Sequence, residues 1–290
     1  MRFGAVEIGG TKTLVASGES IEDLEKFDTI ATTSPRETVE AIVERLRSAE
    51  VVSVGVASFG PLELRPSHDR FGYITSTPKT DWSETPVMQM LVERLGVSVA
   101  FDTDVNGAAL GEGEWGAAEG LRTFAYVTVG TGIGGGVVVN GSPIHGAPHP
   151  EVGHVVVRRH PDDDHTGSCP FHGDCLEGMA SGPAIEARFG KRGEMLDGPE
   201  QEEALGLVSH YIGQGLRNLV YAVAPERVIV GGGVSKLEGF HEAVGESLLD
   251  SIAGYPAEAA HSDPGFIVPP GLGDLSGLAG ALLLAMRQSN

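Results

Sequence analysis

Three times in this 290-residue chain a short apolar run stops at a cluster of glycines: after Arg2–Val6, after Phe124–Val129 and after Arg227–Val230. Glycine permits turns that a side chain forbids and lets backbone N–H groups come close to a bound anion. The residues after each turn limit the fold. Beyond E-I-G-G-T-K-T (residues 7–13) the apolar pattern resumes at Leu14–Ala16, which predicts a hairpin. Beyond G-T-G-I-G-G-G (130–136) come Val137–Val139 and an Asn140-Gly141 turn, which predict a strand and then a second hairpin. Gly130, Gly132 and Gly135 match G-x-G-x-x-G in letters, but the dinucleotide fingerprint needs a helix after the turn, and a Rossmann domain is excluded. No G-x-x-x-x-G-K-[ST] occurs, which excludes a P-loop site. The third turn, G-G-G-V-S-K (231–236), leads from a strand into a helix and suits the phosphate or adenosine of a nucleotide.

The segments between the turns predict a layered α/β chain. Ser34-Pro35-Arg36-Glu37 reads as a helix start, with Ser34 as N-cap, Pro35 in the first turn and Glu37 completing a capping box. Val51–Ala57 and Val97–Phe101 read as strands and Val87–Leu95 as a helix. Trp82, in the polar loop 73–82, reads as a core anchor. The strand at 97–101 delivers D-T-D-V-N-G-A-A (102–109) at its carboxyl end, where ligands of open α/β folds collect. Asp102 or Asp104 there is either a helix N-cap or, beside Asn106, a catalytic carboxylate. Further along, Ser181 and Pro183 mark a helix start, Phe266–Pro269 a late strand, and Leu278–Met286 a final helix.

Charge narrows the partners. The formal net charge is −20, with 40 acidic against 20 basic residues, and nucleic acid demands the opposite. An anionic ligand must therefore be held locally, by backbone N–H groups, a metal ion or a placed lysine. No run reaches the ~18 apolar residues of a membrane span, and the N-terminus reads as strand and not as a signal peptide, so a cytoplasmic protein is expected.

Glu151 to Glu177 holds both cysteines: E-V-G-H, a polar connector, then C-P-F-H-G-D-C-L-E. His154, Cys169, His172 and Cys175 supply the imidazole and thiolate donors of a tetrahedral zinc site at the short spacings such sites use. A disulfide is the alternative for the two cysteines, and the interleaved histidines favour zinc.

Taken together, these motifs resemble the ROK family of sugar kinases. E-I-G-G-T-K (7–12) is similar to the family's first phosphate motif, with Glu7 where an Asp is usual. Gly130–Gly135 is similar to the second phosphate loop, and Gly231–Gly233 to the adenosine loop. The family's N-D-x-N appears as Thr103-Asp104-Val105-Asn106, its E-x-G-H as Glu151–His154, and its zinc cluster as C-P-F-H-G-D-C, with His172 standing for a cysteine. The resemblance implies an α/β fold of two actin-like (ribonuclease H-like) domains with a nucleotide and sugar cleft between them. Residues 1–107 would form the smaller domain, with helix 276–288 packing back on it. Residues 108–275 would form the larger one, with a zinc-binding insertion at 151–177.

It further implies ATP, Mg²⁺ and a structural Zn²⁺. ATP would be held by Gly9, Gly10, Thr11, Lys12, Gly130, Thr131, Gly132, Gly134, Pro183, Gly231, Gly232 and Gly233. The sugar would be held by Gly60, Pro61, Thr103, Asn106, Glu151, His154 and Glu177, with Asp104 as catalytic base. E-I-G-G-T-K, F-G-P-L-E-L, G-Y-I-T-S-T-P-K-T-D-W and D-T-D-V-N point to the fructokinase branch, and hence to a homodimer making fructose 6-phosphate. A kinase for glucose, mannose or an N-acetylhexosamine is the alternative. A sugar-sensing regulator would need a DNA-binding domain ahead of the first strand, and none is read there.

Overall fold

The structure, a computed structural model, describes residues 1–255 and 258–289. The chain divides into two compact units. The first comprises residues 1–119, 143–150 and 274–290, the second 120–142 and 151–273.

The first unit begins with β1 (Phe3–Ile8) and β2 (Lys12–Gly18), the predicted hairpin, in register from Phe3 opposite Gly18 to Ile8 opposite Thr13. Two-residue strands β3 (Glu25–Lys26) and β4 (Ile30–Ala31) pair with β2. Helix α1 (Pro35–Arg47) comes next, with Ser34 accepting from the Glu37 N–H and donating to the Glu37 carboxylate. Then come β5 (Ser53–Ser58), α2 (Val87–Leu95), β6 (Ser98–Thr103) and α3 (Asp104–Trp115). Strands β1, β5 and β6 run parallel, with Ile8 beside Ser58 and Ser58 beside Thr103. One sheet edge thus gathers the first glycine turn, the Phe59–Pro61 loop and the start of α3.

The second unit opens with β7 (Phe124–Val129) and β8 (Ile133–Val139), antiparallel around the second glycine turn, and then the two-residue β9 (Ser142–Pro143). Asn140 and Gly141 have φ of 53° and 80°, the left-handed pair that a tight hairpin turn requires. Helices α4 (Leu176–Ala180), α5 (Gly182–Phe189) and α6 (Gly198–Val223) precede β10 (Arg227–Gly231), then come α7 (Phe240–Ile252) and β11 (Ile267–Val268). The sheet order is β11-β10-β7-β8-β9, with β7, β10 and β11 parallel. The third glycine turn passes through a 3₁₀ turn at Val234–Lys236 before its helix begins.

The chain closes with α8 (Ser276–Gln288), which belongs to the first unit. The two faces of the first sheet differ by the period-2 rule of strands. Val6, Val54 and Val56 point to α1 and α2, where they pack with Ile42, Leu46 and Leu91. Ala5, Ala16 and Ala57 point to the other face and pack with Leu278, Ala281 and Leu282 of α8. Gly55 lies on that second face, where a Cβ would stand 1.9 Å from the Ala281 carbonyl oxygen. α3 meets α8 equally closely: a Cβ on Gly280 would lie 1.7 Å from the Gly107 carbonyl oxygen. The domain boundary expected at residue 107 is therefore corrected, since it would cut α3 away from the helix it is packed against. Among the described residues no helix is long and apolar enough to cross a membrane.

Candidate functional site

In the first unit, the turn between β1 and β2 is held by bonds from distant segments. The Thr32 hydroxyl donates to the Gly9 carbonyl at 2.8 Å, and the Thr32 N–H to the Thr11 carbonyl at 3.0 Å. Lys79 donates to the Gly10 carbonyl at 2.6 Å and the Thr32 carbonyl at 2.8 Å. Trp82, fully buried, donates its indole N–H to the Thr33 carbonyl at 2.7 Å and packs edge-on against Phe59. A Cβ on Gly10 would meet nothing within 4 Å, so packing does not demand glycine there. Its smallness leaves the exposed rim Gly10–Lys12 open to a ligand.

At the end of β6 the capping expectation is corrected. Thr103, and neither aspartate, is the N-cap of α3: its hydroxyl accepts the Asn106 N–H at 3.0 Å. The reason is one of register, because the strand hands over to the helix one residue before Asp104. Thr103 is 2% exposed, so its hydroxyl serves the helix. Asp104, the first helical residue, lies where the partial positive charge of a helix N-terminus favours a carboxylate. Asp102 is buried and fully engaged. It accepts the Thr103 N–H at 2.8 Å, the Asn106 side-chain N–H at 2.8 Å and His145 Nε2 at 3.0 Å. That hydrogen bond raises the His145 pKa against the opposing effect of burial. His149 Nε2 accepts the Leu62 N–H at 3.1 Å, and burial pushes its pKa down. Two histidines thus fasten residues 143–150 along the strand-end edge, one at Asp102 and one beside Gly60 and Pro61. The Pro61 carbonyl in turn accepts from the Thr75 N–H at 2.8 Å.

In the second unit, the turns after β7 and β10 lie side by side. A Cβ on Gly130 would sit 3.8 Å from the Gly233 nitrogen, and one on Gly232, at φ 94°, would strike the Val129 carbonyl oxygen at 2.4 Å. The Gly182 N–H donates to the Gly130 carbonyl at 2.7 Å, which brings the start of α5, with Pro183 in its first turn, onto the second glycine turn. Thr131 is exposed at the tip of that turn, and Gly134, the second residue of β8, pairs with Thr128 behind it.

Glu177 joins this turn to the Cys/His cluster. Its carboxylate accepts the Ile133 N–H at 2.9 Å, and a Cβ on Gly132 would stand 2.7 Å from it. The Glu151 pKa is raised by partial burial and then by the charge of Glu177. Two carboxylates near enough for their charges to interact suit a ligand that offers hydroxyl donors.

The cluster itself is built by backbone geometry. Cys169 and Gly173 exchange hydrogen bonds at 3.2 and 3.0 Å, and Cys175 is the N-cap residue of α4. A Cβ at Gly178 in α4 would lie 1.8 Å from the Gly173 carbonyl oxygen, so the loop can pack on that helix only with glycine there. His154 Nδ1 lies 3.7 Å from Cys169 Sγ and 3.5 Å from Cys175 Sγ, and His172 Nδ1 lies 3.8 Å from Cys169 Sγ. Bonds of about 2.0–2.3 Å to a tetrahedral ion separate ligand atoms by about 3.3–3.8 Å, so this donor set fits zinc. Both cysteines are buried free thiols, and burial, reinforced by Cys169, pushes the Cys175 thiol up to about 11. Such thiols call for a cation to hold them as thiolates.

Residues 3–288 match the ROK family. The chain belongs to the ROK family. It is 43% identical over 99% of its length to a fructokinase of Zymomonas mobilis, covering 97% of that protein. It is 41% identical over 98% of its length to a putative fructokinase of Bacillus subtilis, covering 95% of that protein. Among solved structures, a ROK hexokinase from Thermus thermophilus superposes with a TM-score of 0.80 at 28% identity, covering 100% of this chain and 99% of that one. The α/β fold expected of this ROK member is the one observed. Sequence reasoning missed Lys79, His145 and His149. The only signal for them was the placement of basic residues in T-P-K-T-D-W and H-G-A-P-H-P, amid a chain poor in lysine.

Proposed function

We propose that this protein transfers the γ-phosphoryl group of ATP to D-fructose, giving fructose 6-phosphate and ADP. The observation that carries the reading is a contrast in likeness. Five fructokinases, one of them named as putative, are 37–43% identical to this chain, whereas three glucokinases are 28–30% identical.

Asp104 takes the proton from the attacking hydroxyl as its oxygen bonds to the γ-phosphorus and the bond to the departing ADP oxygen breaks. The open rim Gly9–Lys12 and the turn Gly130–Gly134 supply N–H donors to the phosphates. Gly231–Gly233 and Pro183 border the adenosine. Glu151, Glu177 and His154 hold sugar hydroxyls, while Gly60 and Pro61 border the sugar and Asn106 supports the site from within. Thr103, spent on capping, contributes through the start of α3. Glu7 would help to hold a Mg²⁺ ion, which would supply positive charge against the phosphates when bound. His154, Cys169, His172 and Cys175 would hold a structural zinc ion, and with His154 Nδ1 turned to the cysteines its Nε2 would be left for the sugar. A cytoplasmic homodimer is the expected state.

A panel of fructose, glucose, mannose and N-acetylmannosamine, read by coupled ADP release, tests this. The expected result is a kcat/KM for fructose at least about tenfold above the others. A higher value for glucose or mannose would reassign the acceptor, and no turnover of any sugar would sink the kinase reading.

A further inference from the structure

We propose that His145 binds a hydroxyl of the acceptor sugar and helps set which sugar is accepted, with Asp102 and Asn106 holding it in place. The proposal rests on the sugar-kinase reading and extends its acceptor site to residues 143–150.

Four observations within the first unit support it. First, Thr103 stands where the resemblance places a sugar-binding asparagine, and the residue is 2% exposed with its hydroxyl capping α3. That position cannot serve the sugar as an asparagine does, so the site needs another hydrogen-bonding group near the end of β6.

Second, His145 is placed there. Its Nε2 lies 3.0 and 3.1 Å from the two carboxylate oxygens of Asp102, two residues before the proposed base. The ring is 40% exposed, and among the described residues its hydrogen bonds all run through Nε2, so Nδ1 is left for a ligand. An imidazole backed by a carboxylate is both oriented and strengthened as a hydrogen-bonding group.

Third, the backing is overbuilt for a surface histidine. Asp102 is 4% exposed and also accepts from the Thr103 N–H and the Asn106 side chain. Asn106 is 1% exposed, and its Oδ1 has no hydrogen-bond partner among the described residues. A buried amide normally satisfies both ends. Here one end secures Asp102 and the other keeps an acceptor next to the start of α3. A tether alone would not require a buried carboxylate, a buried amide and a histidine in series.

Fourth, the loop bearing His145 is anchored twice. His149, four residues on, accepts the Leu62 N–H at 3.1 Å, and Gly60 lies against it, with a Cβ there only 3.3 Å from Nε2. The loop therefore cannot drift, and the exposed ring is presented by a fixed mount.

The alternative is that Asp102 and His145 only staple the loop. His145→Ala and Asp102→Asn, studied in the full-length enzyme, separate the two. Losing one charge-assisted hydrogen bond to a sugar hydroxyl is expected to raise the KM and the Kd for fructose by about 10- to 100-fold in His145→Ala. The KM for ATP should stay within about twofold, and the preference for fructose over glucose should shrink. Asp102→Asn, which keeps the ring but weakens its backing, should shift the fructose constant in the same direction by less. In the unmodified enzyme, the His145 ring signals in heteronuclear NMR should move on titration with fructose alone. Wild-type turnover combined with unchanged sugar constants in a folded His145→Ala would overturn the proposal while leaving the kinase reading intact. A wild type that neither turns over nor binds any sugar of the panel would overturn both.

Discussion

Gly280→Ala tests the packing that positions the proposed base. In the middle of a helix the exchange is intrinsically favourable, since alanine outranks glycine by about 1 kcal/mol. The structure reverses the sign. The new Cβ of α8 would lie 1.7 Å from the Gly107 carbonyl oxygen of α3. A relaxed carbon–oxygen contact is about 3.3 Å, so the helices must part by about 1.6 Å. The obstacle is the Gly107 backbone, with no rotamer to give way, so the cost belongs at or above the upper end of the usual 1–3 kcal/mol for overpacking. After the gain in propensity a net loss of about 2 kcal/mol remains, or roughly 4–8 °C in the melting transition of the first unit. Gly107 is three residues after Asp104, and a displacement of about 1 Å in a reacting group costs on the order of 100-fold in rate. Calorimetry and kcat should therefore fall together. Gly206→Ala in α6 is the control: its Cβ would meet nothing within 4 Å, and a slight stabilisation is expected. A Gly280→Ala protein as stable and as active as the wild type would refute the reasoning.

Three other outcomes are expected. Asp104→Asn should lower kcat by about 10²–10⁴ while leaving the fructose Kd from calorimetric titration nearly unchanged; near-normal turnover would remove Asp104 as base. Chelation, or Cys175→Ser, should release zinc measurable by elemental analysis and raise the KM for both sugar and ATP, because Glu177 sits two residues from Cys175 and holds the Ile133 N–H at 2.9 Å. Zinc-free protein with normal constants for both would break that link. Asp163 should govern acid stability in the second unit. Burial alone would push its carboxyl up, but Arg188 at 2.7 Å, the Tyr211 hydroxyl at 2.5 Å and the His165 N–H hold it well below the usual carboxylate range. A depressed folded pKa gives stability that is present above the unfolded value of about 3.9 and lost as pH falls below it. Asp163→Asn should thus melt well below the wild type at pH 7, with the gap narrowing progressively only as the pH falls below about 3.9. A gap independent of pH would show that the carboxylate's charge is not what stabilises the fold there.

What the sequence revealed was local. Each glycine turn announced itself because glycine after a β-branched run has few other meanings, and Asn140-Gly141 named its own turn type. Ser34-Pro35-Arg36-Glu37 carries the start of α1 in four letters. The four proposed zinc ligands could be grouped because three of them fall within seven residues. The two aspartates at the end of β6 could not be told apart, since both precede a helix, and the choice turns on where the strand stops. His145 was invisible for a different reason: its partner Asp102 is 43 residues away, and no periodicity joins them. Lys79 is a similar case, 69 residues from the turn it holds. Groups that act across such separations are set by the topology of the sheet, which no short window of sequence contains.

The close seating of α8 also bears on the order in which the protein can be made. The Ser53 hydroxyl bonds the Ala285 carbonyl at 2.7 Å across 232 positions of sequence. Until the last helix leaves the ribosome, the alanine and glycine face of the first sheet has nothing to cover it, although its strands were synthesised first. The second unit, whose residues lie wholly between those of the first, is complete before that face can close. The sheet of the first unit is therefore synthesised before the second unit and covered only after it.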